Sequence, residues 1–509
     1  MKQAVTNDME PDKTQKYILA LDLGSSGVRS LLVAIDGHVP LTEASRRYRV
    51  HRPQSNDALI ASYAPQDLWR RVAEVLHENW SAAGLRPENI AAVSITSQRQ
   101  GVAFLAVDGT PIYVGPNTDL RAVFEGASID DRLADDIHAS TGHLPSFFFT
   151  PAKLLWWAQH HPRLFRRIRR VLTLGGWIGF QLTGEQADVP SSLNEAGLTD
   201  LITRRPTPVL NELGIDPAIL PPIVDEGATL GGLSTEAATL TGLKTGTPVV
   251  LTGPDSQAAL LGMGIVSVGD IGIVSGWSTP VQSVTASPVL DPRHRTWTGN
   301  HLVPDTWVAE ANVGDTGGTL DMVRRLLGPR ASFERLDKLV SQARLGSNLV
   351  TAFWGPQALD LSSPGISMGG LLSPVPITFN TVHAGHVIRA TLENIAYAIR
   401  EGTDWLAELT GHRQRIASLS GGLAQSRVFP QLLADVLNTP VRLHHHRASS
   451  IGAAIAATVP RQQWAAAAQE AKSAGSIIEP DIRSAVDYQD LYERWLRLKL
   501  QLNAMTNEL

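Results

Sequence analysis

Apolar residues fall in short runs separated by glycine-rich turns, and two of these runs share one layout. Tyr17–Asp36, YILALDLGSSGVRSLLVAID, sets the apolar stretches Ile18–Leu23 and Val28–Ile35 on either side of Gly24-Ser25-Ser26-Gly27. This pattern predicts a hairpin whose loop turns backbone N–H groups inward, a concave site for phosphate oxygens. Asp270–Val284, DIGIVSGWSTPVQSV, repeats strand, Gly/Ser turn and strand, with Ser275-Gly276-Trp277-Ser278 in place of the first turn. Two such hairpins, one opening each half, predict a duplicated domain with a nucleotide between the halves. Between them lies Gly246–Gly264, GTPVVLTGPDSQAALLGMG, where Val249, Val250 and Leu251 read as the end of a buried strand. Gly253 and Pro254 break that strand, and Ser256 through Met263 reads as a helix.

The remaining pattern alternates strands and helices. Leu68, Val72, Val75 and Leu76 give Asp67–Trp80 helical spacing, and Ile90–Thr96 and Val102–Val107 read as strands around Ser97–Gly101, SQRQG. Lys153–Gln159 and Trp177–Leu182 read as core helices, and Asp188–Leu201 as a polar loop near a cleft. In the second half, Asp315–Leu327 reads as a Gly317-Gly318 turn entering a helix, and Ile388–Leu409 as an amphipathic helix. Ile416–Ser420 is a strand that leads through Gly421–Ser426 into the helix Val428–Leu437. Pro440–His444 is a further strand, and Ser449–Val459 a helix rich in Ala and Gly for close packing. Asp487–Leu502 reads as a charged helix packed on the outside.

Length changes the picture most: 509 residues exceed one core and imply two large domains. With 43% hydrophobic and 18% charged residues the composition is that of a soluble globular protein. A net charge of −5 gives no reason to expect nucleic acid or an anionic membrane surface. Cysteine is absent, which excludes disulfides, thiolate metal sites and a cysteine nucleophile. The polar, acidic opening MKQAVTNDMEPDKTQK is unlike a secretory signal, and no apolar run approaches membrane-spanning length, so cytoplasm is the expected location.

Candidate chemistry gathers at the strand ends. Asp255 stands where a buried strand gives way to a helix, the mouth of a cleft in an open α/β sheet. It is read as the base of a phosphoryl transfer; the plainer reading is an aspartate capping the helix of Gln257. Asp22 ends the first strand beside the Gly24 turn, placed to hold Mg²⁺ directly or through water, and Arg29 begins the return strand within reach of phosphate. Arg99, Gln100, Asp119 and Arg121 collect near strand ends and suit a polyhydroxy ligand, although Asp119 and Arg121 can instead pair with each other. Gly421-Gly422 offers bare backbone for close approach to a flat adenine ring. His444-His445-His446 and the pair His383 and His386 are discounted as metal sites. The P-loop and the Rossmann fingerprint are both missing, which disfavours those nucleotide sites.

From Ile18 to Ala457 the chain resembles the FGGY family of carbohydrate kinases, within the actin-like ATPase fold. LDLGSSGVRS resembles the first phosphate hairpin, and PVVLTGPDSQAALLG the segment carrying the catalytic aspartate. RATLENIAYAIR, SGGLAQSRVFPQLLADVLNTPV and SIGAAIAA resemble the C-terminal signature with its adenosine loop, and SQRQG with PNTDLRA resembles glycerol and autoinducer-sugar kinases. Gln100 stands where those relatives carry Glu, and Trp277 where the second phosphate turn carries Thr. Trp354–Asp360, WGPQALD, lacks a frequent Glu-Arg, and Arg447 replaces a common Glu.

The resemblance implies an α/β protein of two ribonuclease-H-like domains of the actin/hexokinase ATPase type with a central cleft. Residues 17–265 form the sugar-binding and catalytic domain, 266–460 the nucleotide-binding domain and 461–509 a helical extension. It implies ATP and Mg²⁺ as cofactors, with Asp22 toward the metal and Asp255 as general base. Arg99, Gln100, Asp119 and Gln257 are expected on a small sugar or polyol. Gly24, Ser25, Ser26, Arg29, Gly276, Gly317, Gly421 and Gly422 are expected on the nucleotide. Two alternatives are a sugar-binding regulator that has lost turnover and an actin- or chaperone-like ATPase. Nucleic-acid and membrane partners are not expected, and a homodimer is left open.

Overall fold

The computed structural model describes residues 11–52, 59–326, 332–355, 369–373, 382–445 and 447–506. Its first sheet is built from β1 (Tyr17–Leu23), β2 (Gly27–Ala34), β3 (Pro40–Arg47), β4 (Ile90–Ser97), β5 (Thr229–Gly232) and β6 (Pro248–Pro254). Their order across the sheet is β5-β6-β4-β1-β2-β3. β1 runs antiparallel to β2 and parallel to β4, and β6 is parallel to β4. β1 is apolar on both faces because both are covered. Tyr17, Leu19, Leu21 and Leu23 enter one core with helix α1 (Pro65–Ala82), while Ile18 and Ala20 enter another. A small sheet of Pro111–Gly115, Val102–Leu105 and Arg170–Thr173 extends this half, and helix α2 (Pro190–Glu195) lies close by.

Helix α3 (Asp255–Gly262) follows β6 and leads into the second sheet. That sheet contains β7 (Ile271–Ser275), β8 (Ser278–Thr285), β9 (Trp297–Asn300), β10 (Trp307–Asp315), β11 (Ala417–Gly421), β12 (Val441–Leu443) and β13 (Ser476–Ile478). The order is β9-β10-β8-β7-β11-β12-β13. β7 is antiparallel to β8 and parallel to β11, the same surroundings that β1 has in the first sheet. Helices α4 (Thr316–Leu326), α5 (Ala384–Thr410), α6 (Ala448–Thr458) and α7 (Ile482–Thr506) complete the fold. Among the described residues no helix is long and apolar enough to cross a membrane.

α6 belongs to the second half by sequence yet buries Ile451, Ala453, Ala454 and Ile455 in the core under β1 and β2. It crosses α3 backbone to backbone. A Cβ at Gly262 would collide with the Ala448 carbonyl, and one at Gly452 with the Ala258 carbonyl. The Ala/Gly content that predicted close packing serves both this crossing and the packing of α6 under β1 and β2.

Three expectations change. Asp188–Leu201 is not simply a loop: Pro190 opens the short helix α2, whose polar residues are buried, with Asn194 Nδ2 and Glu195 finding internal partners. Strand β6 runs on through Gly253 to Pro254, so α3 starts at Asp255, and α4 starts at Thr316, which puts Gly317-Gly318 inside its first turn. The tail helix does not lie on the outside alone; Tyr488, Tyr492 and Trp495 point into the second core beside Tyr397. Of WGPQALD, residues 356–360 lie outside the described residues, as does His446.

Candidate active site

Asp255 is the first residue of α3 and Pro254 takes the N-cap position. Its Oδ1 accepts from the neighbouring Ser256 N–H at 2.8 Å, not from a donor deeper in the helix, so the carboxylate is not a helix cap. The side chain keeps a partial opening to solvent. Surrounding protein nonetheless pushes its pKa up to about 7: burial is the largest cause and the Asp22 charge the next, with Arg99 and the Ser256 N–H opposing.

Arg99 follows β4 and is held in a buried charge lattice. Its Nη1 and Nη2 donate to Glu310 Oε2 and Oε1 at 2.6 and 2.8 Å, and Nη1 lies 3.3 Å from Glu195 Oε2. The guanidinium stacks 5.5 Å from the centre of the Trp297 ring. Glu310 lies on β10 of the second sheet and also accepts from Gln282 and Asn312 at 2.9 and 3.1 Å. Glu195 ends α2 and accepts from Gln257 Nε2 at 2.5 Å, with His143 Nε2 3.6 Å away. Burial works to protonate Glu195, but Arg99, His143 and Gln257 outweigh it and hold the carboxyl well below its usual range. The same carboxylates overcome the burial of Arg99 and hold its proton more firmly than usual. Gly299 on β9 makes room for this arrangement, since a Cβ there would lie 2.6 Å from Glu195 Oε1.

Gln100 takes a left-handed backbone, φ +58, and is buried with no partner for its Nε2. Its carbonyl accepts from the fully buried Lys153 at 3.2 Å. Asp119 departs from its expected place on a ligand. It has no exposed surface, and its carboxylate accepts from the Ala61 N–H at 2.8 Å, from Arg121 Nε at 2.7 Å and from the Tyr113 hydroxyl. The alternative pairing of Asp119 with Arg121 is the one the structure contains.

The Gly24 turn closes through Gly24 N–H to the Gly27 carbonyl at 3.0 Å. Gln98 Nε2 donates to the Gly24 carbonyl at 3.2 Å and to the Tyr63 hydroxyl at 3.1 Å, while Gln98 Oε1 accepts from Asn117 N–H at 3.1 Å. Asn117 Nδ2 in turn donates to Ser25 Oγ at 3.0 Å, and the Ser26 carbonyl accepts from Tyr48 N–H at 3.2 Å. Below the turn, Asp22 Oδ2 accepts from Arg29 at 3.1 Å and from Ser449 of α6 at 2.7 Å. Arg29 also approaches Glu43 at 3.5 Å, and Arg447 donates to Glu43 through both Nε and Nη2. Arg29 is therefore committed to carboxylates here, and Arg447 serves Glu43.

The Gly276 turn closes through Gly276 N–H to the Ser278 carbonyl at 3.0 Å. The Trp277 carbonyl accepts from Thr316 and Gly317 N–H at 3.0 and 2.9 Å, and a Cβ at Gly317 would lie 2.8 Å from the Gly276 carbonyl. Beside this turn is a recess lined by Gly276, Gly317, Gly422, Asp321, Arg324 and Phe333, among others. Gly421, with φ +96, packs against the Ser275 carbonyl and does not line it.

Gly276, Gly317 and Gly422 thus meet in one recess, and Arg99 and Gln257 meet through Glu195 within reach of the charge on Asp255. Sequence reasoning missed Glu195, Glu310, His143 and Ser449, and it quoted Gln98 without a role. Glu195 lay in a stretch whose polarity read as loop, and Glu310 in a strand with no motif.

Residues 17–262 match the N-terminal domain of the FGGY family of carbohydrate kinases, and residues 273–460 match its C-terminal domain. The chain is 29% identical over 489 residues to a putative sugar kinase, YoaC, of Bacillus subtilis, covering 95% of this chain and 96% of that protein. It is 27% identical over 511 residues to the autoinducer-2 kinase of Escherichia coli K12, covering 95% and 94%. Its fold is similar to xylulose kinase from Rhodospirillum rubrum, with a TM-score of 0.78, 26% identity and coverage of 96% and 99%. A gluconate kinase from Lactobacillus acidophilus superimposes with a TM-score of 0.81 at 19% identity, over 96% and 99% of the two chains, and shows the fold alone.

Proposed function

We propose that in this chain, which belongs to the FGGY family of carbohydrate kinases, Asp255 is the general base that readies a sugar hydroxyl for attack on the γ-phosphorus of ATP. The reaction class is ATP-dependent phosphorylation of a small sugar or polyol, as in the family. An ATPase cycle without a sugar substrate is not favoured. The observation that carries the role of Asp255 is its place, partly open to solvent, where β6 ends and α3 begins beside the Arg99–Glu195 lattice; burial there pushes its pKa up to about 7. A base poised near the working pH accepts a proton most effectively.

The recess at Gly422 takes the adenosine, and the Gly24 and Gly276 turns face the phosphates from the two halves. Catalysis of this kind rests on positioning and charge neutralisation. Asp22 fits a Mg²⁺ ion: it is a hard oxygen donor, Oδ2 is engaged by Arg29 and Ser449, and Oδ1 accepts no hydrogen bond. The ion would neutralise phosphate charge. Phosphate also supplies the alternative partner that would release Arg29 from Asp22. On the acceptor side, Arg99 and Gln100 hold the sugar, while Asp119 acts indirectly by fixing Arg121 and Tyr113, and the fully buried Gln257 by fixing Glu195.

The unpartnered Gln100 Nε2 needs an acceptor, which a carbonyl or ring oxygen supplies better than glycerol does. The names of the relatives, autoinducer-2 kinase and xylulose kinase, support a carbonyl-bearing substrate. An unpaired buried polar group costs about 1–3 kcal/mol, or roughly 5- to 150-fold in kcat/KM. A coupled ADP-release assay over pentuloses, hexuloses, glycerol and the autoinducer precursor tests this. A keto sugar is expected to exceed glycerol by that factor, and Gln100→Glu to move the ratio toward glycerol. Equal or glycerol-favouring ratios in the wild type would remove the substrate argument.

A further inference from the structure

We propose that Glu310, supplied to the sugar site by the second half of the molecule, is a specificity-determining residue that makes the site take neutral polyhydroxy substrates and reject sugar acids. The proposal rests on the reading of Arg99 and Asp255 as the sugar side of the cleft.

Arg99 is the cation whose charge acts on Asp255, and it is the group that would otherwise capture a substrate carboxylate. Glu310 occupies the two guanidinium nitrogens in a bidentate pair, and Glu195 sits against one of them. Two carboxylates against one guanidinium leave this lattice one charge negative, while the Asp22 charge beside it is offset by Arg29. The other nearby cations are also committed: Arg121 to Asp119, Lys153 to the Gln100 carbonyl, and Arg29 to Asp22 and Glu43. An entering carboxylate would have to draw Arg99 off Glu310, which is only 3% exposed, and leave that anion buried without its partner.

A second observation points the same way. Three buried polar atoms of this lattice and its neighbours lack partners: Gln100 Nε2, Gln282 Oε1 and Asn194 Oδ1. Gln282 donates its amide to Glu310, and Asn194 Oδ1 would lie 3.7 Å from a Cβ placed on Gly299, beside Glu195. Donors and acceptors are both represented. Hydroxyl groups, each a donor and an acceptor, satisfy such a mixed set, whereas an ionised carboxylate supplies acceptors only.

The test is a coupled ADP-release assay of the full chain on matched pairs, D-xylulose with D-xylonate and D-fructose with D-gluconate, at a pH where the acids are ionised. The better neutral member is expected to exceed its acid by roughly 100-fold or more in kcat/KM. Glu310→Gln is expected to narrow that ratio about tenfold, mostly by lowering KM for the acid, and Glu310→Asp to narrow it less. Because the variants can be unstable, the wild type decides first: an acid used as well as its neutral partner overturns the proposal. Calorimetric titration with the same four compounds separates this from the kinase reading. Neutral compounds that bind in preference to the acids without being phosphorylated would remove the kinase reading and keep the filter. Acids that bind as tightly, or failure of every neutral compound to bind, would overturn the filter.

Discussion

The Gly24–Gly27 turn and the Ser275–Ser278 turn sit at corresponding places, each between a central strand and its antiparallel neighbour. Their attachments differ. The first is bonded to Gln98, Asn117 and Tyr48, and through Gln98 it is tied to the residue that precedes Arg99-Gln100. The second hands its Trp277 carbonyl to the first turn of α4 and leaves the indole 49% exposed. A shift of the first turn therefore moves the Arg99-Gln100 loop proposed to hold the sugar, whereas a shift of the second moves the wall of the recess proposed for the nucleotide. The two hairpins share a layout, and the packing around each gives them different correspondents.

The largest test removes the carboxylate whose charge Arg99, next to Gln98 in that link, offsets. Asp255→Asn is expected to lower kcat by roughly 10²–10⁴-fold with little change in the KM for ATP. In the wild type kcat should rise with pH through about 7, as the carboxyl loses its proton, and the variant should lose that limb. Stability runs the other way. A folded pKa raised above the unfolded value stabilises the fold fully below the ordinary carboxylate range, and this is lost as pH rises through about 7. Asp255→Asn should therefore melt higher than the wild type above pH 7, and a melt at or below the wild-type value there would count against the shift.

Next in size is one substitution made in both turns. Gly24→Val and Gly276→Val meet no atom closer than 3.7 and 3.5 Å with their first added carbon, so both proteins should fold. Gly24→Val is expected to cost roughly 100-fold in kcat/KM for ATP and to raise KM for the sugar as well. Gly276→Val should weaken ATP without touching the sugar. Identical sugar kinetics in the two variants would erase the distinction between the turns, and unchanged ATP affinity by calorimetry for Gly24→Val would make that hairpin purely structural.

Gln98→Ala attacks the link itself. It strips partners from the Gly24 carbonyl and the Asn117 N–H, and should lower kcat/KM for both substrates by about tenfold, within the range for orphaned buried polar groups. An effect confined to ATP would show that the bond does not reach the sugar loop. The smallest effect belongs to Trp277→Thr, an exposed side chain whose loss should change stability by no more than about 0.5 kcal/mol. A thermal melt and an ATP titration check it; a large fall in either would show that the indole is part of the recess.

What was legible in the sequence follows from range. Both hairpins, the strand–helix step at Asp255 and the long amphipathic helix α5 are written in periodicity and turn residues, which act over a few positions. The Asp119–Arg121 pairing, two residues apart, was already among the readings. The charge lattice is different, because Arg99 finds Glu195 and Glu310 at separations of 96 and 211 residues. Nothing local marks those glutamates. Glu195 was hidden further by its setting, since a polar run reads as solvated until its partners are known. The tail helix misled in the same way: its charges suggested the surface, while Tyr488, Tyr492 and Trp495 kept the spacing of a buried stripe.

The crossing of α3 and α6 has a mechanical reading. With carbonyls in the place where side chains would be, the two helices are braced at two points, Gly262 on Ala448 and Gly452 on Ala258. Asp255 stands only three residues beyond Ala258, an overhang of about 4.5 Å at about 1.5 Å per residue. A tilt of about 10° about Ala258 would carry the start of α3 by less than about 1 Å, within the misplacement of roughly 1 Å that costs a reaction about 100-fold. Ser449, next to the braced Ala448, holds Asp22 to the same crossing. One set of backbone contacts thus keeps the base and the Asp22 carboxylate in register with each other.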